Sequence, residues 1–294
     1  MINKILCVIL LGMFAGLAPA GAQPAPAVPA KVKGQIIAAR VEGGVNAISK
    51  VDGSTRALHD GDQISDQTQV VTAEGATVIL VFSNGATVDL AGNSTLDIEE
   101  FEQDPFASDL KVSDMKTEPG TSVTRLNLAK GELIGKVAHL NVDKGSEFTV
   151  NTPVGAAGIR GTTFRIVFRP LPNGKARIIV ETSAGRVVFT GITSGPVSIP
   201  AGQKVVATYD YTAPSAGNPG STAQSSPVTI VSTNLTDAEA AQIQSYEQNI
   251  QTAVQNTIFQ ASGSGGTTTT STNNNNNTTT TQQTVNPTVV SPSQ

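Results

Sequence analysis

From Gly34 to about Thr208 the apolar residues come in short runs separated by glycine, asparagine and aspartate, as in "QIIAARVEGGVNAI", "TRLNLAKGELIGKVAHL" and "GPVSIPAGQKVVATY". Strands of about five to eight residues joined by turns give that pattern, and it predicts an all-β domain. In "ATVILVFSNGATVDLAG", Val78, Leu80 and Phe82 alternate with Thr77, Ile79 and Val81. Both faces of that strand are apolar, so it is expected to be covered on each side. Asn84-Gly85 stands where a tight hairpin needs positive φ. The block "GATV" recurs at 75–78 and 85–88, which leaves a glycine-rich β-sandwich and a solenoid-like stack both open. A second hairpin runs from "FRIVFR" to "ARIIVET". There Arg165, Arg169, Arg177 and Glu181 take alternate positions, where opposite charges can pair across strands on a solvated sheet face.

The period changes elsewhere. Residues 97–119, "DIEEFEQDPFASDLKVSDMKTEP", are acidic and without clear alternation, and read as a long excursion from the sheet. Residues 209–234 form a polar linker. Thr236-Asp-Ala-Glu then opens an amphipathic helix over 235–261, with Ile243, Tyr246, Ile250, Val254 and Ile258 as its apolar stripe. That stripe is expected to dock on its own domain, with self-association as the alternative. The Gly, Ser, Thr and Asn tail at 262–294 has too little apolar surface to offset the entropy of ordering, and is expected to be disordered. At the other end, Lys4, the apolar run Ile5–Leu17 and Ala20-Gly21-Ala22 match a cleaved secretory leader over 1–22. The run has 13 residues, short of the roughly 20 that span a bilayer. A Pro/Ala spacer follows at 23–33, and the mature protein is expected to be exported, to the periplasm or outside the cell, without stable membrane insertion.

Composition narrows the chemistry. Cys7, the only cysteine, lies in the leader, which removes disulfides and thiolate chemistry from the mature chain. Losing the leader removes Lys4 and leaves 18 basic against 23 acidic residues, a formal charge of −5. No basic run marks a nucleic-acid or anionic-lipid surface, so neither partner is expected. His59 and His139 lack the companions of a catalytic triad, and the acidic run from Asp97 to Asp104 lacks the glycine and final glutamate of a calcium loop. No catalytic residue, metal ligand or cofactor is assigned.

One stretch invites a functional reading: "NTPVGAAGIRGTTFRI", residues 151–166. It is not a Walker loop, because Arg160-Gly161 leads through Thr162 and Thr163 into a strand. Pro153 sets an extended entry, Gly155, Gly158 and Gly161 permit close backbone approach, and Ile159 and Phe164 can fill a core. Arg160 is expected among apolar neighbours, partnered by Asp62 or Glu181.

The same stretch resembles the signature of the FecR-type domain, named for the iron-dicitrate sensory regulator of Gram-negative bacteria. Its signature positions here are Thr152, Pro153, Gly155, Gly158, Arg160, Gly161, Thr162 and Phe164. Other elements agree in order, among them "LHDGDQI" with Gly61 and Asp62, "VVTAEGATVILVFSNGATVDL", "LNLAKGEL", "SAGRVVF" and "AGQ". The resemblance covers about Gly34 to Thr208. It implies an extracytoplasmic β-rich domain, at 34–208, without enzymatic activity. In the founding regulators that domain follows an anti-sigma segment and a transmembrane helix. The leader read here stands in their place, so this chain is not expected to carry a signal across the inner membrane, and iron regulation is not transferred to it. The expected function is a non-enzymatic binding module that engages an envelope protein or glycan, sensory in kind. The alternatives are a structural or adhesive envelope protein and, more remotely, an extracellular hydrolase.

Overall fold

A computed structural model describes residues 30–172, 174–191, 194–212, 222–223, 227 and 229–261. The chain divides after Ala30, and every strand and helix among the described residues belongs to the unit from Lys31 onward. The leader, most of the spacer, part of the linker and the tail at 262–294 lie outside the described residues.

The strands of three or more residues are β1 (Ile36–Glu42), β2 (Val45–Ser49), β3 (Thr55–Ala57), β4 (Asp62–Ile64), β5 (Thr68–Thr72), β6 (Thr77–Phe82), β7 (Thr87–Leu90) and β8 (Thr95–Gln103). They continue as β9 (Ser122–Lys136), β10 (Glu147–Thr152), β11 (Gly155–Ile159), β12 (Thr163–Leu171), β13 (Lys175–Ala184), β14 (Arg186–Thr190), β15 (Val197–Pro200), β16 (Gln203–Thr212) and β17 (Thr229–Asn234). Among the described residues one α-helix, α1, spans Asp237–Val254.

These strands build two sheets that share β9. The first has the order β3-β2-β5-β8-β9-β10-β11-β14-β15. The second has the order β4-β1-β6-β7-β9-β12-β13-β16-β17. Neither closes on itself: among the described residues β3, β15, β4 and β17 each keep one free edge. The chain steps repeatedly from one sheet to the other while advancing in one direction, so the fold is a sandwich wound in the manner of a solenoid. Both readings left open by the sequence describe part of it.

The apolar alternation explains the core. Aromatic rings meet edge-on between the sheets, Phe82 with Phe101 at 5.2 Å and Phe148 with Phe164 at 6.5 Å between centroids. All four are fully buried. Burial of each contributes roughly 2–3 kcal/mol, and the edge-on pairing adds about 0.5–1.5 kcal/mol per pair. The shared strand has to bend. Its first half pairs with β8 and β10, its second with β7 and β12. Gly131 makes the bend at φ 107°, where a β-carbon would stand 2.5 Å from Ser94 Cα.

Helix α1 supplies the second cover expected for β6. Thr236 caps Glu239 and Glu239 reaches back, as the capping box predicts. Ile250 then packs with Ile37, Ile79, Val81, Phe106, Val112 and Phe259 on the outer face of the second sheet. Thus Val78, Leu80 and Phe82 face the main core and Ile79 and Val81 face the helix. The helix stops at Val254; the Thr257 hydroxyl donates to the Ala253 carbonyl, and the chain turns so that Ile258–Phe259 pairs with Leu110–Lys111. Ile258, read as part of the helical stripe, therefore lies off the helix and exposed, and Phe259 fills the cluster instead.

Two further expectations are corrected. The acidic segment is not loop from Asp97 to Gln103: it is the body of β8, paired with β9. Ile98 faces Leu126 and Glu100 faces Arg125, so Glu99 is an extra residue, a β-bulge. That bulge sets Ile98 and Phe101 three apart and hides the period of two. The excursion proper begins at Asp104. Nor is the face carrying Arg165 and Glu181 a wet one. The two pair in register as expected, with Nη1 to Oε2 at 3.0 Å, but their side chains are only 12% and 1% exposed.

Candidate functional site

The signature stretch connects the two sheets. Thr152 ends β10, and its hydroxyl donates to the Gly155 carbonyl at 2.8 Å, closing the turn through half-buried Pro153. A β-carbon on Gly155 would stand 2.0 Å from the Thr190 carbonyl oxygen, so only glycine lets β11 lie this close to β14. Gly158 has no such neighbour, the nearest being the Val188 carbonyl at 3.7 Å. Thr162 is buried and donates to the Arg186 carbonyl, and Phe164 enters the core. Gly61 and Asp62 are elsewhere, at the start of β4, which lies five strands from β12 in the second sheet; Asp62 there accepts from Arg56 and from the His59 backbone.

Arg160 departs from expectation. It is exposed, not enclosed by apolar side chains, and neither suggested acid holds it: Asp62 pairs with Arg56, and Glu181 with Arg165. The reason is the turn. Gly161 takes φ 60° and hands the chain to β12, which leaves the side chain before it outside the core.

What Arg160 faces is a meeting of three loops. The parallel pairing of β9 with β10 requires a crossover, residues 137–146, that carries the chain back to the first sheet. This crossover lies against the signature turn. Val137 donates its N–H to the Thr162 carbonyl at 3.0 Å, and a β-carbon on Gly161 would stand 3.3 Å from His139 Nδ1. The excursion closes on the same place, because the His139 backbone donates to the Lys116 carbonyl and accepts from the Glu118 N–H. Glu118 braces the junction from inside: it is buried and accepts from the Ser122 hydroxyl at 2.6 Å, the Ser146 hydroxyl and the Asn141 N–H. A buried carboxylate with three donors is held firmly. The last turn of α1 forms the remaining wall.

Two adjoining cavities result, with His139 common to both. The larger, about 470 Å³, is lined by Lys116, Lys136, Val137, Ile250 and Val254 among others, and by no carboxylate. The smaller, about 350 Å³, includes Asn141, Asp143, Lys144 and Arg160. Volumes of this order suit small-ligand sites. The basic side chains come from residues 116, 136, 144 and 160, too far apart in the chain to form a run, which is why no basic cluster was visible in the sequence. His59, the other histidine, stands beside Asp62 at 3.7 Å on a separate exposed turn.

The class of protein follows from this arrangement: a two-sheet β-domain whose most distinctive turn opens onto a cleft. The family model for FecR protein matches residues 68–188. The signature and all four cleft cations lie within the matched segment; Gly61, Asp62 and helix α1 lie outside it. No curated protein matches the chain. Two crystal structures of a candidate anti-sigma factor from Parabacteroides distasonis are similar at 13% identity, with TM-scores of 0.38 and 0.39, covering 61% of this chain and 64% of that one. Among the described residues no helix is long and apolar enough to cross a membrane.

Proposed function

We propose that this protein is a non-enzymatic binding module of the bacterial cell envelope, exported to the periplasm or beyond, that recognises its partner with the cleft at the FecR signature turn. One observation carries the reading: the turn that defines the family presents its arginine outward, into a cleft that three separate loops converge to build. A purely structural role would have turned that guanidinium inward onto a carboxylate, as happens to Arg165 five residues later. The partner is an envelope protein or glycan, and the sensory role belongs to the same cleft.

The test is capture from an envelope extract of the source organism. The wild-type chain should retain a saturable component that an Arg160→Gln, Lys136→Gln double variant loses and that Lys130→Gln, a substitution on β9 outside the cleft, keeps. Equal retention by all three would remove the cleft from the proposal. Steady product release from extracellular ester, peptide or glycan substrates, abolished by His139→Ala, would replace the binding module with an enzyme.

A further inference from the structure

We infer that the part of the envelope partner that enters the cleft is dianionic: an apolar body carrying acid groups, carboxylate or phosphate, at two ends. The inference rests on the cleft being the recognition surface, and adds the chemistry of what fills it.

The fold already uses more than half of its cations. The described residues contain 18 lysines and arginines. Ten of them stand in ion pairs: Lys31, Lys33, Arg40, Lys50, Arg56, Arg125, Arg165, Arg169, Lys175 and Lys204. Eight do not, and four of those eight, Lys116, Lys136, Lys144 and Arg160, line the two cavities that meet at His139. In a chain with a formal charge of −4, chance would scatter the unpaired cations over the surface. Gathering like charges around one concavity raises the local positive potential, and a low-dielectric wall focuses it.

The acids near the cleft do not cancel this. Asp143 is the one carboxylate that lines the smaller cavity, and the larger has none. Glu247, one turn before Ile250 on the helix, accepts the Thr163 hydroxyl at 2.8 Å, and Glu118 is buried behind the crossover with its own three donors.

Distribution then fixes the ligand's shape. Lys116 and Lys136 belong to the larger cavity, Lys144 and Arg160 to the smaller, so two positive ends flank His139. The larger cavity also offers apolar surface from Met115, Val137, Ile250 and Val254. Inorganic anions would leave that surface unused, and a neutral apolar molecule would leave four cations unanswered. A molecule with an apolar body and two acid groups answers both, and a guanidinium suits a planar carboxylate or a phosphate as a two-pronged partner.

The full-length protein should be titrated at low salt with octanedioate, octanoate and inorganic phosphate, following the His139 ring and the Gly161 amide by NMR. Octanedioate should saturate both signals at least tenfold more tightly than octanoate, with phosphate weakest. The preference should weaken as salt rises. Arg160→Gln and Lys144→Gln, both at exposed positions that leave the fold intact, should each reduce octanedioate to the level of octanoate, and Lys130→Gln should change nothing. Equal affinity for the mono- and dicarboxylate, phosphate as the tightest probe, or no shift at either residue would overturn the inference. If anion binding fails while envelope capture still depends on the cleft, the binding-module reading stands and only the dianion is lost.

Discussion

Arg160 and Arg165 are five residues apart, on either side of the same turn, and the fold treats them oppositely. Arg165 lies under the helix-bearing face of the second sheet. Its Nε donates to Glu132 at 2.8 Å and its Nη1 to Glu181 at 3.0 Å, while Arg169 meets Glu132 from the exposed side, also at 3.0 Å. Burial works against its charge, yet Glu132 and then Glu181 outweigh that and hold the guanidinium above its ordinary pKa. Arg160 has no such partner and faces a cavity. The difference shows how to separate charge that the fold consumes from charge that it leaves for a ligand: count the carboxylates each cation already holds.

The largest effect that can test this contrast is on stability. Arg165→Ala leaves Glu181, 1% exposed, without an ion-pair partner and Glu132, 8% exposed, with Arg169 alone, and removing one member of a buried ionic group costs about 3–5 kcal/mol. Arg160→Ala removes an exposed, unpaired side chain and should change unfolding by less than about 0.5 kcal/mol. Urea unfolding of the two variants measures both, and comparable losses would erase the distinction. Gly131→Ala comes next, at about 2–3 kcal/mol, because positive φ and backbone contact with Ser94 coincide at the bend of the shared strand. Dianion binding should survive in whatever fraction stays folded, since the bend lies in the stack and not in the cleft.

The buried side of the comparison also has a pH signature. Asp89 occupies the same row of the second sheet as Arg165, separated from it by Ile134. It is 4% exposed, and its Oδ1 has no hydrogen-bond partner. Burial pushes its carboxyl up to about 6, with Arg40 opposing and Glu132 and Glu42 adding to the rise. A carboxyl whose folded value lies above the unfolded one gains a proton on folding. Its contribution is therefore present on the acidic side, is lost as pH rises from about 4 through about 6, and is flat above that. The loss is on the order of 3 kcal/mol. Asp89→Asn should remove that decline and make the protein more stable than wild type at neutral pH. An unchanged profile would mean that Asp89 reaches solvent.

Much of the stack was legible in the sequence because its causes are local. The two-sided apolar pattern of β6, the capping box at Thr236 and the Arg165–Glu181 register each follow from residues within one strand, one helix turn or one hairpin, and the structure contains all three. What escaped reading depends on distance. The bulge at Glu99 broke the period of β8 and made a strand look like loop. Asn84, read as a turn residue, keeps an ordinary φ and is buried, its side-chain amide donating to Ser122 and Thr124 of β9, while Gly85 alone supplies the positive φ, at 87°. Arg160 has apolar neighbours in sequence, which points it to the core, yet the left-handed turn at Gly161 decides which way it points. The cleft itself is assembled from residues 116, 136, 144 and 160, and only the parallel crossover after β9 brings them together.

The smallest predicted effect separates two glycines that the signature makes look alike. Gly158 lies in β11 with negative φ, and a β-carbon there meets nothing closer than 3.7 Å. Gly158→Ala should be neutral or stabilising by about 0.5 kcal/mol, since alanine sacrifices less backbone freedom on folding. Gly161 holds φ 60°, which costs an alanine about 1–2 kcal/mol. Its β-carbon would also sit 3.3 Å from His139 Nδ1, but that ring is exposed and can yield, so the contact adds little to the unfolding free energy. Its consequence falls on the cleft instead: the ring that joins the two cavities is displaced. Gly161→Ala should therefore lower stability by about 1–2 kcal/mol and weaken octanedioate by more than that loss explains, whereas Gly158→Ala should leave both intact. If the two variants bound the dicarboxylate equally well, the signature turn would be shaping only the sheet junction, and the cleft beside it would have no claim on the ligand.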